Sequence, residues 1–300
     1  MEILAQLILN SIIAGAIYTL IALGFNLIYG ATKFFNLAHG VIATIGGYAV
    51  FYLAQTLDWN IYLAVIIGIL LAGLIGYGLD KLVYLPLRKR KASNMVLLVA
   101  SLGAFTAMQA IIAILFTSQF QTLSQNVGTQ KIYEIACPVA MQSICYGVSG
   151  VITQTQLIIL ISGIIIMAGL ALLLKYTMFG KAIKAISDDE EVAKIVGINT
   201  NKIIGYVFFI GSAIAGLAGI LVGFDTGIEP TMGLGLLLKG VIASIVGGIG
   251  NIYGGVLGAF LLGFVENFGI WKISGEWKDA IAFGLLIVFL IFRPQGVIKK

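Results

Sequence analysis

Charge is what this chain has least of: only 10% of its 300 residues are Asp, Glu, Lys or Arg, against 60% hydrophobic residues. Mean hydropathy of +1.05 excludes a water-soluble domain and puts the chain among polytopic membrane proteins. Cysteine occurs twice and histidine once. No group of side chains has metal-ligand spacing and no nucleophile sits beside a base, so neither a metal, another cofactor nor an enzymatic role is expected. The GxxxxGK[ST] P-loop is missing as well, so if transport here uses ATP, a different chain binds it. The N-terminal stretch lacks the basic n-region and small-residue cleavage pattern of a secretory signal, and it reads as a retained first span. A net charge of +5 does not point to nucleic acid, because the cations gather at span ends, where they set topology.

What the chain has is apolar runs. With spans of about 20 residues, the length admits eight or nine crossings in one integral domain covering 1–300. The runs lie at 3–29, 36–54, 61–85, 95–116, 157–174, 203–224, 232–248, 252–270 and 280–292, so the expected fold is an all-α, polytopic membrane helix bundle. Fourteen of the 18 Lys and Arg residues fall in one set of connectors: Lys33, Lys81, the run Arg88 to Lys91, the lysines of 175–202, and Arg293, Lys299 and Lys300. The positive-inside rule makes these cytoplasmic, with the N-terminus outside and the C-terminus inside. That parity requires 232–270 to cross an even number of times. The junction 247–251 carries no basic residue, so a re-entrant hairpin also fits there. The connector 117–156 is then external. It carries Cys137 and Cys145, whose spacing permits a disulfide in an oxidising compartment and equally suits two buried thiols.

The 28 residues 175–202 hold nine of the chain's charged side chains. Ser187-Asp188-Asp189-Glu190 fits a capping box, Val192, Ala193, Ile195 and Val196 supply apolar positions, and Gly197 is placed for a left-handed cap. An amphipathic helix on the aqueous face of a membrane protein invites a soluble partner; a solvated, well-capped loop helix fits the same pattern.

Two further patterns concern the path through the membrane. Residues 37–47 align without gaps on 237–247, with seven of eleven positions identical, and Gly24-Phe25-Asn26 answers Gly223-Phe224-Asp225. By the topology above, the copies run in opposite directions, as in the inverted repeats that flank transporter substrate paths. Ionisable groups inside spans mark such paths or their structural partners. Lys239 and Glu266 are the strongest cases, with pairing to each other and contact with cargo as the competing roles. His39 occupies the place of Lys239 in the first copy; a helix–helix hydrogen bond is its simpler role.

Several stretches together resemble the LivH branch of the branched-chain amino-acid ABC transporter permeases. They are Gly30 through Gly40 with Asn36-Leu37-Ala38-His39-Gly40, Gly180-Lys181-Ala182, Asp189-Glu190-Glu191-Val192-Ala193, Gly197-Ile198-Asn199, Gly211 through Gly219, Lys239 through Gly250, and Arg293-Pro294-Gln295-Gly296. The resemblance implies a bacterial or archaeal cytoplasmic-membrane importer subunit without enzymatic activity of its own. It would work beside a homologous LivM-type permease, two ATP-binding subunits and an external substrate-binding protein, in contact with membrane lipid and with no nucleic-acid partner. Its coupling segment would be 180–199, drawing on Gly180, Ser187, Asp189, Glu190, Glu191, Ala193 and Gly197. Asn36, His39, Lys239 and Glu266 are the candidates for the translocation path. The implied cargo is a branched-chain or other neutral hydrophobic amino acid. Related permeases of urea and short amides share these motifs, and an ion-coupled secondary transporter remains the alternative from a different class. The external connector matches no family motif.

Overall fold

A computed structural model describes residues 2–123, 131–136, 149–293 and 295–298. Cys137 and Cys145 lie outside the described residues. Helix dominates because hydrocarbon offers no partner for a free backbone amide, so a spanning segment must satisfy its hydrogen bonds within itself.

The helices, in order, are α1 (Glu2–Thr32), α2 (Ala38–Phe51), α3 (Ile61–Leu79), α4 (Leu85–Lys89), α5 (Asn94–Phe116), α6 (Gln154–Tyr176), α7 (Met178–Asp188), α8 (Glu190–Ile195), α9 (Thr200–Asp225), α10 (Met232–Gly247), α11 (Ile252–Ile270) and α12 (Lys278–Phe292). Short polar side chains open many of them. Asn60, Ser93, Thr153, Thr177, Asp189, Asn199 and Asn251 each accept from an amide of the first turn, and Thr153 with Gln156 completes a reciprocal capping box.

Six segments are long and apolar enough to cross a bilayer: Ile3–Thr32, Ile61–Lys89, Asn94–Phe116, Gln154–Tyr176, Thr200–Asp225 and Ile252–Ile270. The other three expected spans are shorter helices of 14, 16 and 15 residues, namely α2, α10 and α12. At 1.5 Å per residue they reach about 21–24 Å, less than the roughly 30 Å of a hydrocarbon core. Helix α2 starts only after the chain breaks at residues 33–37, and it is prolonged by a π-helical turn at Tyr52–Thr56. Helices α10 and α11 form a hairpin turned by Gly248 and Gly250, both at positive φ.

Two helices organise the bundle. Helix α1 packs against α9, α10 and α11, while α9 packs against α1, α2 and α3. Close backbone approach makes this possible: a Cβ on Gly219 of α9 would sit 1.8 Å from the Ala43 carbonyl oxygen of α2. The core is densest along α1, where residues 18–28 are all buried.

The chain has two chemically distinct ends. At one end Lys33 Nζ donates to Ser187 Oγ at 3.1 Å, Asn94 donates to the Lys33 carbonyl, and Ile298 and Val297 pair with the backbone of α10. Lys33 and the end of α7, both in connectors counted as cytoplasmic, meet at this basic end. At the far end Gln121 and Ile228 exchange backbone hydrogen bonds, and Gln55 donates to the Thr122 carbonyl at 2.7 Å. The connector there contains a two-stranded antiparallel hairpin that sequence reading missed, β1 (Ile132–Ala136) with β2 (Ser149–Thr153), in the register Ile132 to Thr153.

The expected capping box at Ser187 is not formed. Ser187 belongs to the last turn of α7 and bonds Lys33. The cap of α8 is Asp189, in extended conformation, whose carboxylate accepts from the Glu191 and Val192 amides at 2.8 and 3.0 Å. A carboxylate taking two amides at a positive helix end outcompetes a hydroxyl taking one. The short helix expected to begin at Ser187 therefore begins at Glu190 as α8, and the preceding residues form a separate helix, α7.

Candidate functional site: two cavities, an ion cluster and an exposed helix

A cavity of about 710 Å³ opens at the far end, bordered by α1, α9, α10 and α12 with contributions from Phe120 and Gln156. A second, of about 510 Å³, opens at the basic end between the end of α1, α6, α7 and the α10–α11 turn. Both touch α1, the far one at Asn10 to Tyr18 and the near one at Asn26 to Gly30. Residues 19–25 between them are buried, so helix α1 partitions the two spaces.

The far cavity carries an ion cluster on its wall. Lys239, midway along α10, lies 3.6 Å from Glu266 of α11 and 3.2 Å from Asp279 of α12. Lys278 lies 3.7 Å from the other Glu266 oxygen, to which the Tyr18 hydroxyl donates at 2.6 Å. Glu266 is fully buried and does not border the cavity, whereas Lys239, Lys278 and Asp279 do. Two cations and a phenol around one carboxylate make burying it affordable, since a lone charge in this environment would cost several kcal/mol.

At the basic end, Asn26 ties α1 to the α10–α11 turn: its amide donates to the Asn251 carbonyl, and its oxygen accepts from the Gly250 amide at 3.0 Å. Asn36 and His39 are buried and border neither cavity. Asn36 accepts from the Tyr84 hydroxyl at 2.8 Å. Neither ring nitrogen of His39 has a hydrogen-bond partner among the described residues, so the expected helix–helix hydrogen bond is not made, and a Cβ on Gly24 would meet the ring.

The model of the family described as "Branched-chain amino acid transport system / permease component" matches residues 7–290. This chain belongs to that family. It is 31% identical over 304 residues to the high-affinity branched-chain amino acid transport system permease protein BraD of Pseudomonas aeruginosa, covering 98% of this chain and 95% of the relative. It is 30% identical to the corresponding LivH protein of Escherichia coli K12, with the same coverage. The probable LivH permease of Methanocaldococcus jannaschii is 27% identical, over 96% of this chain and 90% of the relative. The motif resemblance thus extends along nearly the whole sequence, and the chain is a multi-pass permease component.

The remaining candidate residues of this permease sit on α7, α8 and their flanks. Gly180 lies so close to the last turn of α6 that a Cβ would come 2.4 Å from the Leu174 Cα, which fixes α7 against α6. Glu190 pairs with Lys194 at 2.8 Å and accepts from the Thr200 hydroxyl, joining α8 to α9. Gly197, at φ +89°, ends α8 as expected. Glu191 is exposed. Of the apolar positions, Ala193 alone is buried, while Val192, Ile195 and Val196 are 54, 82 and 69% exposed. Sequence reading missed Tyr18, Asp225, Glu229, Lys278 and Asp279 as neighbours in one cavity. Only Asp225 left a trace, as the counterpart of Asn26 in the repeat.

Proposed function

We propose that this permease imports branched-chain or other neutral hydrophobic amino acids across the cytoplasmic (inner) membrane. It does so as one of two homologous permeases, a LivM-type chain being the other, in an ABC importer with separate ATP-binding subunits and an external substrate-binding protein. The observation that carries this is the arrangement of two cavities at opposite ends of the molecule, partitioned by the buried middle of α1, with an apolar helix face exposed at the basic end. The branched-chain amino acid transport named for the relatives supports the choice of cargo.

In this reading the basic end is cytoplasmic and the connector 117–156 is external. The segment 180–199 is the coupling element. An apolar face with no cover on this chain suits a protein partner better than water. Movement of that partner during its nucleotide cycle would act through the close α6–α7 contact at Gly180 and the Glu190–Thr200 link to α9. Because α1 and α9 are the two packing centres, their displacement would exchange an outward-open for an inward-open path. Helices α1–α3 and α9–α11 are the two copies of an inverted repeat. Supporting this, α2 packs on α9 as α10 packs on α1, and Asn26 and Asp225 border opposite cavities. Lys239 lines the outer part of the path with Glu266 behind it, and Asn36 and His39 hold the buried partition.

The test is uptake into proteoliposomes containing the permease pair, the ATP-binding subunits and the binding protein. ATP-dependent accumulation of L-leucine that is insensitive to protonophores is expected. Uptake that persists without ATP and collapses with the proton gradient would refute the ABC assignment, and exclusive uptake of urea or short amides would refute the cargo.

A further inference from the structure

We infer that the far-end cavity is a zwitterion site, in which Asp225 and Glu229 receive an α-ammonium group and Lys239 receives an α-carboxylate by exchanging it for Asp279. This rests on the amino-acid cargo proposed above and names the chemistry that would recognise it.

The cavity carries charge that its own ion pairs do not use up. In the cluster, Lys239 and Lys278 are balanced by Glu266 and Asp279. Asp225 and Glu229 border the same space and take part in no salt bridge among the described residues. Gln156 borders the same cavity. Asp225 is partly buried and Glu229 exposed, so the two carboxylates leave this wall of the cavity with negative charge that is open to an entering cationic group.

The lysine wall supplies the other half. Asp279 is 75% exposed, in contrast to Glu266, which is buried. Asp279 can therefore leave Lys239 and rehydrate at little cost, whereas Glu266 cannot. A carboxylate entering from outside can take the vacated place on Lys239 with the same charge balance, so Asp279 acts as a stand-in for it. Part of the wall is apolar: Ile13, Ala14 and Ile17 of α1, with Met232 and Leu236 of α10, beside the polar Asn10, Gln156, Thr226 and Asn267. That apolar part suits an aliphatic side chain. The volume, about 710 Å³, is ample for one amino acid and falls in the usual range for small-ligand sites. A neutral amide would leave both charged walls unanswered.

The experiment uses the full reconstituted complex, with unaltered binding protein and ATP-binding subunits, and L-leucine as the probe. Lys239→Gln combined with Glu266→Gln removes the cargo's cation while keeping the buried charge balanced. Asp225→Asn combined with Glu229→Gln removes the ammonium site on residues that are not buried. Each double variant should lower leucine uptake on the order of tenfold or more, with Lys239→Arg retaining most of it. Asp279→Asn should raise uptake at subsaturating leucine, because Lys239 then keeps Glu266 but has no exposed carboxylate to displace. If Lys239 serves only to neutralise Glu266, the first double variant will transport at the wild-type rate. A wild-type rate in either double variant overturns the zwitterion site. A wild-type complex that accumulates no amino acid overturns instead the cargo assignment on which the site rests, and it does so before any variant is compared.

Discussion

Truncating the exposed face of α8 should detach the motor without damaging the permease. Ile195 and Val192 are 82 and 54% exposed in the isolated chain, so changing both to alanine removes almost nothing from its own core. The Asp189 cap, the buried Ala193 and the Glu190–Thr200 link all stay in place. If the face is covered by an ATP-binding subunit, Ile195→Ala withdraws three carbons from that contact, worth about 2 kcal/mol at roughly 0.8 kcal/mol per buried methylene. Val192→Ala withdraws two carbons from a half-exposed site, worth about 1 kcal/mol. Together, about 3 kcal/mol corresponds to a loss of affinity on the order of 100-fold. The assay has two arms. Affinity-tagged permease is purified from cells and the ATP-binding subunit retained on it is quantified, and cargo-stimulated ATPase is measured in the reconstituted complex. The thermal unfolding midpoint of the permease alone should match that of the wild type. Full retention of the ATP-binding subunit together with undiminished stimulation in the double variant would refute the docking role of α8 and leave it a solvated loop helix.

Other consequences of the structure are open to direct measurement. Gly219→Ala places a methyl group against the Ala43 carbonyl and must part α2 from α9, at about 1–3 kcal/mol, whereas Gly169→Ala meets nothing within 4 Å. Thermal unfolding in detergent should show a clear drop for the first and none for the second. Asp80 is fully buried and pairs with Arg88 across the π-helical turn Asp80–Tyr84. Asp80→Asn leaves the guanidinium buried without its counter-charge and should cost about 3–5 kcal/mol, most of it recovered by adding Arg88→Met; equal unfolding midpoints for the single and double variants would contradict this. With Cys137 and Cys145 replaced, an impermeant thiol reagent on intact cells should label Glu276→Cys and spare Lys194→Cys, and the reverse pattern would overturn the assigned orientation.

How much of this was legible beforehand depended on whether the cause was local. The expected runs match the six long helices to within a few residues because apolar length alone decides whether a helix can span hydrocarbon. The termination of α8 at Gly197 was likewise readable, since the αL conformation needs no distant partner. The capping box at Ser187 was local too, but it was read wrongly. The Asp189 carboxylate takes the Glu191 and Val192 amides, and Ser187 Oγ accepts instead from Lys33, a contact that spans 154 residues. The short helices α2 and α10 show a different limit: their composition is as apolar as a full span, and only the break at 33–37 and the turn at 248–251 cut them short.

Composition and order along the chain thus sufficed for the membrane class, the main helices, the collection of cations at one end and, through motifs, the permease family. These follow from the cost of exposing amides or charges to lipid, which every residue meets wherever it stands in the fold. Which faces meet was decided only by tertiary structure. A helix apolar on all sides has no polar stripe to reveal its inner face, so nothing in the pattern told that Lys239 would meet Tyr18, Glu266 and Asp279, or that Asp225 and Glu229 would border the same cavity. Those neighbours come from four different helices and a loop. They are brought together by glycine-mediated contacts between α1, α9, α10 and α11, whose geometry depends on the shape of both partners at once.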